Sequence, residues 1–188
     1  MAVRAFAHAD TIIDTANVID NTIDAGNAAD NLANAVNAID DIPCSFSADT
    51  SVATQDGENS ISAIEIGDYV LAWNEADGTL GYYPVTAVLT HEDQALTEVI
   101  IDGEWLETTP EHPFYTEESG WLPAGELETG MHVRQADGTT GLVWQKWTVY
   151  RQQEMYNLTV ATAHTFFVGD GQWLVHNTLS GDGLKVGI

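Results

Sequence analysis

The chain has 188 residues, 44 % of them hydrophobic, and 29 Asp and Glu against 5 Lys and Arg, for a formal net charge of −24. A surface of that sign repels phosphate backbones, so no nucleic-acid partner is expected, and no apolar run is long enough for a membrane-spanning helix. The single cysteine, Cys44, excludes an internal disulfide framework and any multi-cysteine metal site, and no cofactor or metal is expected. No basic-then-apolar leader opens the sequence. The acidity reads as a solubilising surface or as adaptation to salt, which would screen the self-repulsion.

Residues 8–42 carry an Asx-rich repeat. Asp10, Asp14, Asn17, Asp20, Asp24, Asn27, Asp30, Asn34, Asn37 and Asp41 recur roughly every 3.4 residues, near a heptad spacing. Ile12, Ala16, Ile19, Ile23, Ala29, Leu32, Val36 and Ile39 lie between them, which predicts an amphipathic helix with a narrow apolar stripe. Asp and Asn are mediocre helix formers, so this helix needs a surface to lie on: the domain, a partner helix or an upstream region. Pro43 ends it, because the residue before a proline avoids the α region. His8 belongs to this helix.

From Cys44 onward Val, Ile, Thr, Tyr and Trp alternate with polar residues in short runs. Asp-Gly pairs at 56–57, 77–78, 102–103, 137–138 and 170–171 punctuate the runs, and this dipeptide suits tight hairpins whose two central residues both need positive φ. The expectation is an all-β domain of short strands over residues 44–177, with an upstream flank of 1–43 and a Gly-rich flank of 178–188.

The body echoes itself. Ile64-Glu65-Ile66-Gly67-Asp68-Tyr69-Val70 matches Leu127-Glu128-Thr129-Gly130-Met131-His132-Val133. Ala76-Asp77-Gly78-Thr79 matches Ala136-Asp137-Gly138-Thr139, and His112-Pro113-Phe114-Tyr115 matches His164-Thr165-Phe166-Phe167. Three matches in one order indicate a duplicated β unit, each half delivering one histidine to a shared centre.

The chemistry-bearing residues form one set. Cys44 opens the β body, and its thiol can exchange the Pro43–Cys44 amide for a thioester if the bond is polarised and the leaving amine protonated. Thr109 and His112, three residues apart in Thr109-Pro110-Glu111-His112, supply a hydroxyl and an imidazole for that task. Asn177 can attack its own main-chain carbonyl, closing a succinimide and breaking the Asn177–Thr178 bond; His176 beside it and His164 are the candidate helpers. His91 and His132 lack comparable context and read as surface residues.

These stretches resemble the Hint superfamily of inteins and hedgehog modules, most closely the bacterial intein-like domains of secreted proteins and polymorphic toxins. The resemblance rests on Cys44-Ser45-Phe46-Ser47-Ala48-Asp49-Thr50, Thr109-Pro110-Glu111-His112-Pro113-Phe114, Met155-Tyr156-Asn157-Leu158-Thr159-Val160, His164-Thr165-Phe166-Phe167-Val168 and Leu174-Val175-His176-Asn177. It implies a horseshoe-shaped, pseudo-two-fold β fold. It implies Cys44 as N-terminal nucleophile, Thr109 and His112 as activators, and His164, His176 and Asn177 for C-terminal cleavage. It also implies single-turnover cleavage or splicing of the domain's own flanking polypeptides, by a monomeric domain within a larger secreted or cell-surface bacterial protein. Asn157 stands where inteins often have an aspartate, which removes one acid. Thr178 follows Asn177 and is a weaker, bulkier nucleophile than Cys or Ser. Pro43 puts a hindered carbonyl before Cys44. All three favour cleavage over splicing. Two other readings compete: a hedgehog-like ester-forming module, which has no use for His176-Asn177, and an inert β spacer. Calcium binding through the Asp-Gly turns is the weakest, since no tandem calcium-repeat spacing is present.

Overall fold

The structure, a computed structural model, describes residues 44–177; the helix expected over 8–42, Pro43, Thr178 and the Gly-rich tail lie outside the described residues. The described body is β throughout, apart from two single 3-10 turns. Its strands are β1 (Phe46–Ser47), β2 (Ser51–Thr54), β3 (Gly57–Ser60), β4 (Tyr69–Asn74), β5 (Thr79–Ile101), β6 (Glu104–Thr108), β7 (Pro113–Thr116), β8 (Gly120–Pro123), β9 (His132–Arg134), β10 (Thr140–Val160), β11 (Thr165–Val168) and β12 (Trp173–His176). Hydrogen bonding orders them β11-β12-β7-β9-β10-β1-β6-β5-β4-β2-β3, with β8 on β7 and further pairings of β11 with β2 and β10 with β5.

Most strands are short, as the sequence suggests, but β5 and β10 are not. They span 23 and 21 residues and pair antiparallel with each other from Ile101↔Val143 to Val85↔Val160. Register shifts near Val143/Gln145, Tyr150/Gln153 and Thr159/Val160 let so long a ribbon bend. The Asp-Gly pairs at 77–78 and 102–103 bracket β5, so the turn signals are in place. The run between them simply contains no breaker strong enough to end a strand.

Only one of the five Asp-Gly pairs has positive φ at both residues: Asp102 (φ 50°) and Gly103 (φ 89°), the two-residue loop between Ile101 and Glu104. At 56–57, 77–78 and 137–138 only the glycine is left-handed, and at 170–171 neither residue is. In the wider loops the aspartate acts through its side chain instead. Asp77 Oδ1 accepts from the Thr79 N–H (3.1 Å), and Asp137 Oδ1 accepts from the Thr139 N–H (2.8 Å).

The duplication read from the sequence extends to individual hydrogen bonds. Ile64 N–H donates to Ile61 O and Leu127 N–H to Ala124 O, both at 3.3 Å, closing matching 3-10 turns. Asp68 N–H to Glu65 O and Met131 N–H to Glu128 O are both 3.1 Å. Gly67 N–H reaches Val85 O and Gly130 N–H reaches Val143 O, both at 2.9 Å, while Val85 N–H donates to Asp68 O and Val143 N–H to Met131 O, both at 2.8 Å. Gly67 and Gly130 sit at φ 100° and 98°, a region open to glycine, which is why each repeat keeps one there. Phe46, Val70, Ile101, Phe114, Val133, Val143, Phe166, Trp173 and Val175 belong to one buried cluster drawn from both halves. Burying such side chains is worth roughly 1.5–3 kcal/mol each, which holds the two units as one core.

Candidate functional site

The first residues of the body are clamped at their backbone. Ser45 N–H donates to Thr109 Oγ1 (3.0 Å), Thr109 N–H returns a bond to Ser45 O (2.9 Å), and Thr108 Oγ1 donates to the same carbonyl (2.8 Å). All three residues are fully buried. The clamp exists because β1 lies beside β6, with Phe46 opposite Thr108, and residues 109–112 continue from the end of β6. Cys44 is thereby fixed with its Sγ 3.6 Å from the Glu111 carbonyl oxygen. Burial, then the negative charges of Glu111 and Asp93, push its thiol up to about 12. At rest it is a thiol and not a thiolate.

His112 lies in a cage of rings. Its imidazole is 4.2 Å from the Phe46 ring and meets Phe114 and Phe166 edge-on, at 6.2 and 6.3 Å. Burial in this apolar cage drives its pKa down to about 3; the neighbouring His176 adds to the depression, and the Cys44 backbone offsets a little of it. His112 is therefore neutral near physiological pH, with one nitrogen donating and the other accepting. Its main chain is anchored: His112 N–H donates to Thr109 O and His112 O accepts from Ala124 N–H.

The C-terminal group converges on the same place. β12 lies between β7 and β11, with Val175 opposite both Phe114 and Phe166. That register sets His176, the next residue, close enough to influence His112. The His176 ring also packs edge-on against Trp121 at 5.2 Å. Asn177 is fully buried, and its N–H donates to His164 O (2.9 Å). His164 holds φ 57° and Thr162 φ 66°, left-handed conformations that cost non-glycine residues on the order of 1 kcal/mol or more and mark a tightly determined loop. The His164 ring is exposed, so its contact with Asn177 is made by its backbone.

Cys44, Thr109, His112, His176 and Asn177 are thus brought together, His164 touches the group through its main chain, and Thr178 and Pro43 fall outside the described residues. Two groups escaped the sequence reading. His91, read as a surface residue, is only partly exposed and sits beside Ser45, the residue after Cys44: its Nδ1 is 3.4 Å from Ser45 Oγ and its Nε2 is 3.0 Å from Asp93 Oδ2. Register explains the error. Met155 of β10 pairs with His91 on one side and Ser47 on the other, so the long ribbon carries His91 back to β1, and no local motif announces that. Asn157, singled out only for the aspartate it replaces, donates through Nδ2 to the Asn177 carbonyl oxygen at 2.6 Å. His132, by contrast, is exposed and pairs with Glu118. Among the described residues no cluster of His, Cys, Asp and Glu is arranged to hold a metal ion.

Comparison with known proteins agrees with this geometry. The sequence profile of the pretoxin HINT domain matches residues 51–178, a span that begins after Cys44 and includes Asn177. The solution structure of a bacterial intein-like domain from Clostridium thermocellum superposes with a TM-score of 0.68 at 32 % identity, covering 71 % of this chain and 98 % of that one. The gp41-1 intein (TM-score 0.60, 24 % identity, 72 % and 99 % coverage) and a DnaB intein from Synechocystis sp. PCC 6803 (0.62, 20 %, 72 % and 99 %) share the fold. No curated protein sequence matches the chain. A buried cysteine clamp and a His-Asn terminus on a duplicated all-β body, with these matches, make the chain a member of the pretoxin HINT domain family, a self-processing Hint domain akin to bacterial intein-like domains and inteins.

Proposed function

We propose that this domain cleaves the polypeptide that carries it at two bonds, Pro43–Cys44 and Asn177–Thr178. At the first, Cys44 Sγ attacks the Pro43 carbonyl carbon. The C–S bond forms, the bond to the Cys44 nitrogen breaks, and the thiol proton is balanced by protonation of the leaving amine. Thr109 accepts the Ser45 N–H, which leaves its hydroxyl hydrogen to donate. His112, neutral and caged beside Cys44, holds the ring that relays the proton to the amine. At the second bond, Asn177 Nδ2 attacks its own carbonyl carbon, closing a succinimide and releasing Thr178 as an amine, with His176 adjacent. What supports this reading is His112, buried against Phe46 and influenced by both the Cys44 backbone and His176, so that groups belonging to both reactions act on one buried ring.

Thr178 decides the fate of the thioester. Splicing requires its hydroxyl to capture the acyl group from Cys44, yet a threonine offers essentially no alkoxide near neutral pH and its β-methyl crowds the approach. Water or added thiol takes the thioester first, so cleavage outruns ligation. In a toxin-like bacterial protein such cleavage would free the regions on either side of the domain, and the family match supports a place in an exported protein of that kind.

The test is the full chain with a reporter at each end. Dithiothreitol should raise N-terminal release, Cys44→Ala should stop it, and Asn177→Ala should stop C-terminal release. Thr178→Cys should shift product from free reporters to ligated reporters. Equal N-terminal release by the Cys44→Ala chain, or mostly ligated product from the parent, would overturn the reading.

A further inference from the structure

The carbonyl that Asn177 must attack already carries a donor. Asn157, on β10 and 4 % exposed, reaches the Asn177 carbonyl oxygen with its Nδ2 at 2.6 Å. The orientation of this amide is fixed independently, because its Oδ1 accepts from the Leu158 N–H at 2.8 Å. Turning the amide over would set NH2 against N–H and oxygen against oxygen, so only one orientation satisfies both neighbours. Leu158 is itself buried in the core and paired with Val88 of β5, which makes the donor rigid.

We propose that Asn157 is a catalytic residue for C-terminal release, the oxyanion donor of Asn177 cyclisation, a role that rests on the two-bond reading above. As Asn177 Nδ2 adds to the carbonyl carbon, the C=O electron pair moves onto the oxygen, where the Asn157 N–H is aimed. When the tetrahedral centre collapses, the bond to the Thr178 nitrogen breaks, and the proton lost from Nδ2 is balanced by the one the departing amine gains. A preorganised donor in a water-excluded site stabilises the charge that develops there, and removal of one such donor elsewhere costs roughly 10²–10³ in rate. A carboxylate would face the carbonyl oxygen with negative charge, whereas the amide donates at every pH. What the site gives up as an acid it gains as a permanent donor.

The experiment uses the full chain with a C-terminal reporter and compares Asn157→Ala, Asn157→Asp and Asn177→Ala for reporter release, with dithiothreitol-induced N-terminal release measured on the same proteins. Asn157→Ala should slow C-terminal release about 10²–10³-fold and leave N-terminal release within about threefold, which also reports that the domain is folded. The near-isosteric Asn157→Asp should release at low pH, where its protonated carboxyl can donate, and lose rate as pH rises through its pKa; a merely structural asparagine would give no such profile. C-terminal release within about threefold of the parent in Asn157→Ala, or a pH profile in Asn157→Asp that follows the parent, would overturn the proposal. Release from Asn177→Ala at the parental rate would instead defeat the cyclisation reading itself.

Discussion

The two repeats of this domain share a scaffold and divide the chemistry. The hydrogen bonds of their 3-10 turns and strand closures have equal lengths and their glycines sit at φ 100° and 98°, yet the histidines they deliver have opposite surroundings. His112 is caged by Phe46, Phe114 and Phe166 and held neutral, while His164 stands in a left-handed loop with its ring in solvent and only its carbonyl turned to Asn177. Duplication preserved what closes the core, where a changed bond is costly, and freed what faces the centre.

The sharpest way to break this comparison is to remove each histidine in turn. His112→Ala should lower thiol-induced N-terminal release by at least about 10²-fold, the usual weight of a positioned proton-transfer group. His164→Ala should leave N-terminal release within about threefold, because His164 is exposed and its carbonyl, not its ring, bonds to Asn177. Equal losses in the two variants, read by gel densitometry of timed reactions, would mean that the repeats share the work after all.

The same division separates the features legible in the sequence from those that were not. The all-β class, the duplication, and the candidates Cys44, Thr109, His112, His176 and Asn177, still to be tested as site residues, rest on local signals: alternation, punctuation and short motifs. The lengths of β5 and β10 and the place of His91 beside Ser45 depend on register between strands far apart in the chain, and the contact of Asn157 with the Asn177 carbonyl depends on tertiary packing, none of which a local motif announces. His91 needs two pairings at once, β5 with β10 and β10 with β1, to reach Ser45. The Asp-Gly pairs failed differently. They marked turns correctly, but two of those turns use the aspartate side chain as an acceptor and three need only the glycine at positive φ.

A second contrast lies within the N-terminal site, between the group that stays neutral by losing a proton and the group that stays neutral by keeping one. His112 is depressed to about 3 from an ordinary 6.5, so its contribution to stability is complete above pH 6.5 and is lost as pH falls towards 3. Urea unfolding of the parent should lose more stability between pH 7 and pH 3 than His112→Leu does, by a difference on the order of 3–5 kcal/mol. Titrations common to parent and variant, such as that of Glu118, cancel in the difference. Parallel curves for parent and variant would contradict the buried neutral imidazole.

Cys44 is raised in the opposite sense, and part of the rise comes from the carboxylates of Glu111 and Asp93. Glu111→Gln and Asp93→Asn should each lower the pH midpoint for thiol alkylation, by about half a unit to one unit, since one unit corresponds to about 1.4 kcal/mol of interaction. An unchanged midpoint in both variants would leave burial as the whole cause. The smallest effect expected concerns the net charge of −24: added sodium chloride should raise the thermal midpoint by a few degrees, and a flat response would reduce the acidity to a solubility feature.

The central claim, that one buried centre cuts the chain on both sides of residues 44–177, is tested most directly by intact mass spectrometry of the full chain with a reporter at each end, tracked over time with and without dithiothreitol. The expected result is an N-terminal fragment ending at Pro43 that grows with thiol and carries a thiol adduct, a C-terminal fragment beginning at Thr178, and a released domain whose Asn177 terminus is a succinimide. A single unchanged mass in both conditions, or fragments cut at any other bond, would contradict it.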